Sequence, residues 1–96
     1  MRFEWDPRKD RINRRKHGIS FAEAKRLFTS GLDYLETYDA AHSAEEDRFS
    51  AMGITRRGTV VVVYSEREDD VIRIVSARRA TPGETRRFEA FRRGRT

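Results

Sequence analysis

Arg78 and Arg79 stand side by side in "VIRIVSARRAT", residues 71–81, where a strand-like run reaches the helix-start signal Thr81-Pro82. The guanidinium fork matches two oxygens of one phosphate and stays charged at any working pH. Arginines at the end of a rigid strand are therefore well placed to clamp a phosphate. On an uninterrupted strand Ile72, Ile74, Ser76 and Arg78 share one face, and Arg73, Val75, Ala77 and Arg79 share the other. That alternation groups Arg79 with Arg73 and favours Arg79 as the ligand-facing member. Arg78 is then left to cap the next helix or to meet a carboxylate.

The triplet "EDR", 46–48, is a second constellation. If it lies in a strand, Glu46 and Arg48 point the same way, a proton acceptor beside a phosphate clamp. A surface ion pair worth ~0–1 kcal/mol fits the same letters. Tyr64 closes the run Val60–Val63. It has the means to stack a base or pass a proton, although an ordinary phenol pKa of about 10 makes a poor base. A core-edge aromatic with a locally bonded hydroxyl is the competing description. His17, in "RKHG" at a helix end, sits where the helix dipole favours an imidazolium and hence a general acid. A simple capping histidine is the reading the letters favour. His42, ahead of "SAEED", reads as a turn histidine without a role.

The elements that must hold these residues are legible from caps and periodicity. "RFEW" alternates like a short strand, and Asp6-Pro7 then starts a helix that runs to about Lys16 and stops at Gly18. This helix carries Arg8, Lys9, Arg11, Arg14, Arg15 and Lys16, with Ile12 its only aliphatic residue, so it must lie on the surface with one thin packed edge. Ser20 and Glu23 form a capping box before Phe21, Ala24, Leu27 and Phe28, the stripe of a core helix ended by Gly31. Strands follow at 32–38, 47–54, 59–66 and 71–77, with short polar connectors that favour antiparallel hairpins. The unalternating Val60–Val63 marks a central strand covered on both faces. Thr81, Pro82 and Glu84 then begin a last helix, about 82–93, which Phe88 and Phe91 pack. Phe3, Trp5 and Phe21 are core candidates. The class is α+β: an antiparallel sheet of about four strands plus a short N-terminal strand, two N-terminal helices and one C-terminal helix.

The 96 residues suit one domain, 1–96, able to bury roughly 65% of its unfolded surface. Charged residues make up 39% and the net charge is +5, so a polyanion or an acidic protein is a fitting partner. Charge is segregated. The first helix and the stretch 78–95 are basic, whereas 33–47 holds six acidic residues and no lysine or arginine. Two distant basic arms that converge would track a phosphate backbone. With no cysteine, disulfides and thiolate metal sites are excluded, and two histidines make a histidine zinc site improbable. No metal or cofactor is expected. No apolar run nears a membrane span and the N-terminus lacks a signal-peptide core, so a cytoplasmic protein is expected.

The segments "FEWDPRK", "RKHGISFAEA", "HSAEEDRF", Gly53-Ile54, "VVVVYSER" and "IRIVSARRAT" occur in the order found in BrnT toxins, which the chain resembles from about Phe3 to Arg87. Gly83, in the first turn of the last helix, and the strongly basic tail "AFRRGRT" are the departures. The resemblance implies a RelE-like fold and a ribonuclease that stops translation. It also implies neutralisation by a BrnA antitoxin, two toxins on an antitoxin dimer, and DNA contacted only through the antitoxin. RNA cleavage without a metal needs a base for the 2′-OH, a cation for the phosphorane-like transition state and an acid for the leaving 5′-oxygen. Glu46, Arg48, Tyr64, Arg79 and His17 are the candidate catalytic residues, and Arg73, Arg78, Arg14, Arg15 and Lys16 the candidate RNA contacts. The competing reading is a non-catalytic basic module that binds RNA or an acidic protein. No helix-turn-helix or zinc spacing supports DNA reading.

Overall fold

The structure, a computed structural model, describes residues 1–94; Arg95, the end of the basic stretch, and Thr96 lie outside the described residues. The elements in chain order are β1 (Arg2–Glu4), α1 (Pro7–His17), α2 (Phe21–Thr29), β2 (Leu35–Tyr38), β3 (Arg48–Thr55), β4 (Gly58–Arg67), β5 (Val71–Arg79) and α3 (Pro82–Arg93). A short 3-10 turn, Ala40–His42, joins β2 to β3. The expected α+β order is present. β2 through β5 form an antiparallel meander, and β1 joins the far edge parallel to β5, giving the order β1-β5-β4-β3-β2. β4 is central, as its valine run requires.

The caps act as the letters suggest. Asp6 accepts from the Arg8 N–H, Ser20 with Glu23 and Thr81 with Glu84 close full capping boxes, and Gly18 ends α1 at φ 73°. Two strands differ most from expectation. β2 is shorter, starting only at Leu35, and β5 runs on through both arginines to Arg79.

Helices α1 and α2 pack on one sheet face, over Val60, Val62, Tyr64, Ile72, Ile74 and Ala77, with Phe21, Ala24 and Leu27 supplying the helical side. Phe3 and Trp5 lie at the margin of this core, partly buried. The packed edge of α1 is Asn13 rather than Ile12, which is 61% exposed. The buried Asn13 amide donates to the carbonyls of Ile19 (2.9 Å) and Ala77 (2.8 Å) and accepts from the Ala77 N–H (3.1 Å). A basic helix with no apolar stripe is thus fastened to β5 by a polar side chain that mimics a strand edge. On the other face, α3 covers only one end, where Phe88 meets Met52 and Val61, with Leu35, Ile54, Ala80 and Phe91 around them.

A bulge changes the faces of β5. Val63 pairs with Ser76 but Tyr64 pairs with Ile74, which leaves Val75 as the extra residue. One inserted residue reverses every later side chain. Arg79, opposite Val60, therefore shares the α1–α2 face with Ala77, Ile74 and Ile72, and Arg78, opposite Val61, shares the other face with Ser76 and Arg73. The expected grouping of Arg79 with Arg73 is corrected: Arg78 is the one on Arg73's side.

Candidate active site

On the face that α3 partly covers, the sheet register aligns three residues across three strands: Arg48 on β3 faces Ser65 on β4, which faces Arg73 on β5. Cross-strand neighbours on one face lie about 5 Å apart at Cβ, so two guanidinium stems flank one hydroxyl. Ser65 is 0% exposed, and its Oγ has no hydrogen-bond partner among the described residues. Nor does the buried Nε of Arg48. An orphaned buried donor costs about 1–3 kcal/mol; the side chains of Arg48 and Arg73 are 29% and 30% exposed, so their guanidinium heads are what an anion can reach. Arg73 is tethered by its Nη1 to Glu4 on β1 at 2.6 Å. Glu46 lies 3.8 Å from Arg48 Nη2 and 3.4 Å from Arg67 Nη2. The pair Glu46–Arg48 forms, but not as strand mates: Glu46 sits in the bend before β3, which begins at Arg48.

The remaining cations gather elsewhere. Lys16, His17, Arg78, Arg79 and Thr81 line a cavity of about 460 Å³ where the end of α1, the end of β5 and the start of α3 meet. Val61 and Ser65, opposite Arg78 and Arg73, lie four residues apart on β4, so the cavity is roughly 13 Å from the row. His17 is therefore not brought to Glu46. Arg78 is engaged by both oxygens of Glu84, at 2.7 and 2.9 Å. Arg79 is exposed. Arg14 and Arg15 are exposed on α1.

Tyr64 departs furthest from expectation. It points into the α1–α2 core, is 0% exposed, and its hydroxyl donates to Glu36. Burial, then the Glu36 carboxylate, push its pKa up. It is the anchored core aromatic and reaches neither the row nor the cavity. It stacks on Phe49 at 5.7 Å and meets Phe28 edge-on at 5.0 Å.

The sequence matches the family described as "Ribonuclease toxin, BrnT, of type II toxin-antitoxin system" over residues 5–84. The chain belongs to the BrnT family. A crystal structure of the Brucella abortus ribonuclease toxin BrnT superposes with a TM-score of 0.62, at 24% identity, covering 84% of this chain and 97% of that one. No curated protein matches the sequence. The likeness to that BrnT structure fixes the fold.

For this BrnT-family chain, Ser65 and Arg67 join the candidate site, and the letters alone did not single them out. Their signal was present. Arg56-Arg57 is a two-residue turn between Thr55 and Gly58, and counting back from it puts Arg48 opposite Ser65. Arg78 fills the structural place foreseen for one of the paired arginines, next to a carboxylate. The bidentate contact with Arg78 and the Thr81 N–H hold Glu84 down at about 2. A carboxylate depressed in the fold stabilises above its unfolded pKa and loses that contribution as pH falls. Wild type is thus expected to exceed Glu84→Gln in stability at neutral pH, with the gap closing between about pH 4.5 and 2. Denaturant melts at stepped pH check this.

Proposed function

We propose that the chain is the toxin of a type II pair and cleaves RNA without a metal, at the row Arg48–Ser65–Arg73 beside Glu46. The observation that carries this reading is the pair of part-exposed guanidinium groups, Arg48 and Arg73, on one sheet face with Glu46 beside Arg48. Glu46 takes the 2′-OH proton, and the 2′-oxygen attacks the adjacent phosphorus. Arg48 and Arg73 hold the phosphate oxygens as negative charge builds on them. The chain's own guanidinium groups supply the cationic stabilisation a metal would otherwise give. Among the described residues no cluster of His, Asp or Glu has the makings of a metal site. The products are a 2′,3′-cyclic phosphate and a 5′-hydroxyl.

The cavity lined by Lys16, His17, Arg78 and Arg79, with Arg14 and Arg15 on the neighbouring helix, serves as the track for the RNA backbone. It gives affinity rather than rate. Lys16→Glu and Arg79→Glu are each expected to weaken RNA binding and to make log K against log salt shallower by about 0.7 per lost phosphate contact. The rate at saturating RNA should stay near that of wild type. Binding isotherms over a salt series check this.

The same basic surface suits an inhibitor. A BrnA-like antitoxin with acidic or extended segments covers it by charge complementarity. Two toxins ride on one antitoxin dimer, and only the antitoxin touches DNA. The protein acts on cellular RNA in the cytoplasm and stops translation. Arg79→Glu is expected to weaken antitoxin binding together with RNA binding. Among the described residues no helix is long and apolar enough to cross a membrane.

The test of the ribonuclease reading is a labelled mixed-sequence RNA incubated with purified protein in EDTA. Cleavage that leaves 2′,3′-cyclic phosphate ends supports it. RNA that is cut only when a divalent cation is restored contradicts it, and RNA that is bound but never cut favours a non-catalytic module.

A further inference from the structure

The reaction above has a base and a cation but no acid for the leaving oxygen. His17 is remote from Glu46, and Tyr64 is buried on the other face. The described residues contain one other histidine. His42 ends the 3-10 turn between β2 and β3, with its side chain 69% exposed. Its Nδ1 lies 2.8 Å from Asp39 Oδ2. An ionised carboxylate only accepts, so Nδ1 carries the proton of this bond and Nε2 is left for a ligand. A histidine oriented by a carboxylate is the arrangement proton transfer needs.

This turn is stitched to Arg48. The Asp39 N–H donates to the Arg48 carbonyl at 2.8 Å. The Ser43 hydroxyl donates to the Asp39 carbonyl at 2.6 Å and accepts from the Arg48 N–H at 2.9 Å. The segment 39–48 thus closes on itself with Arg48 at its neck. It carries His42 in its first turn and Glu46 in its last bend. One short closed segment holds a carboxylate-oriented imidazole, a second carboxylate and a guanidinium.

We infer that His42 is the general acid of the cleavage, oriented by Asp39; this rests on the ribonuclease reading. As Glu46 removes the 2′-OH proton, the 2′-oxygen bonds to phosphorus and the bond from phosphorus to the 5′-oxygen breaks. The departing electron pair stays on the 5′-oxygen, which takes the proton from Nε2 of the His42 imidazolium. The cyclic phosphate and the 5′-hydroxyl leave. Neutral His42 and protonated Glu46 then reset by exchange with water. Asp39 is a positioning residue that touches the imidazole and not the RNA.

The experiment uses two oligonucleotides spanning a site that wild type cuts. One has the ordinary phosphodiester, and the other has sulfur in place of the bridging 5′-oxygen. A thiolate leaves without protonation, so an enzyme lacking only its acid should recover on the sulfur substrate. His42→Ala is expected to cut the oxygen substrate about 10²–10⁴-fold more slowly and the sulfur substrate within a few-fold of wild type. Asp39→Asn should show a smaller loss with the same recovery. An equal loss on both substrates, or no loss on either, overturns the inference while leaving the ribonuclease reading intact. If the preceding digestion of mixed-sequence RNA yields no site that wild type cuts, the ribonuclease reading falls and this inference with it.

Discussion

Arg48→Ala is expected to slow RNA cleavage about 10²–10³-fold, with the dissociation constant for RNA changed far less. The asymmetry follows from where the residue sits. Its stem lies in the sheet beside Ser65, its Nε is buried with no acceptor among the described residues, and its head is near Glu46. The part-exposed guanidinium head gains most when charge develops on a phosphate oxygen. That differential contact is what lowers a barrier. Affinity should change little, because the cations of the cavity and of α1 still track the backbone. Arg48→Lys should not restore the rate, since a single ammonium cannot reproduce the fork. Single-turnover cleavage at saturating protein, with binding measured on an RNA lacking the reactive 2′-OH, separates the two quantities. A loss confined to binding would move Arg48 out of the chemistry.

The largest expected effect on stability comes from Asn13→Ala, a destabilisation of about 3–5 kcal/mol. The substitution strips partners from two carbonyls and one N–H, those of Ile19 and Ala77, in a site where Asn13 itself is 6% exposed. Each buried group left unpaired costs about 1–3 kcal/mol, and native domains are stable by only 5–15 kcal/mol. Asn13→Asp should be no milder, because one carboxylate oxygen would then face two carbonyl oxygens. The consequence reaches function. Asn13 fixes the helix that delivers Lys16 and His17 to the strand that delivers Arg79, so the cavity depends on a residue outside it. Urea unfolding of the purified variant checks the stability term. A change below about 1 kcal/mol would mean that water or a shift of α1 replaces the amide.

Helix bounds were legible because caps are local chemistry. Thr81-Pro82 with Glu84 marked the start of α3, and Asp6-Pro7 with Gly18 bracketed α1. The central strand was legible because four consecutive valines leave no polar face. The side assigned to Arg79 was not. Val75 is one β-branched residue among several, and nothing in its type announces that it bulges; only the pairing of Tyr64 with Ile74 does. Asn13 escaped for a related reason. An apolar stripe predicts what a helix buries, and this helix buries an amide whose partners are backbone groups 6 and 64 residues away. The contact between Glu46 and Arg48 was foreseen by the wrong route, since a bend rather than a strand brings them together. His42 gave no signal until its bond to Asp39 and the stitching of its turn to Arg48 were visible.

The most direct test of the row as the phosphate site is the arginine Nε–H region of a ¹⁵N–¹H spectrum, with Arg48, Arg73 and Arg79 assigned from their lysine variants. The probe is an oligonucleotide of a cleaved sequence with 2′-deoxyribose at the cut position. The Nε–H resonances of Arg48 and Arg73 are expected to shift strongly as their part-exposed guanidinium heads gain a phosphate, and that of Arg79 to respond weakly and in proportion to low salt. Resonances of Arg48 and Arg73 that stay in place while those of Arg79 move would put the scissile phosphate in the cavity beside His17 and contradict the account.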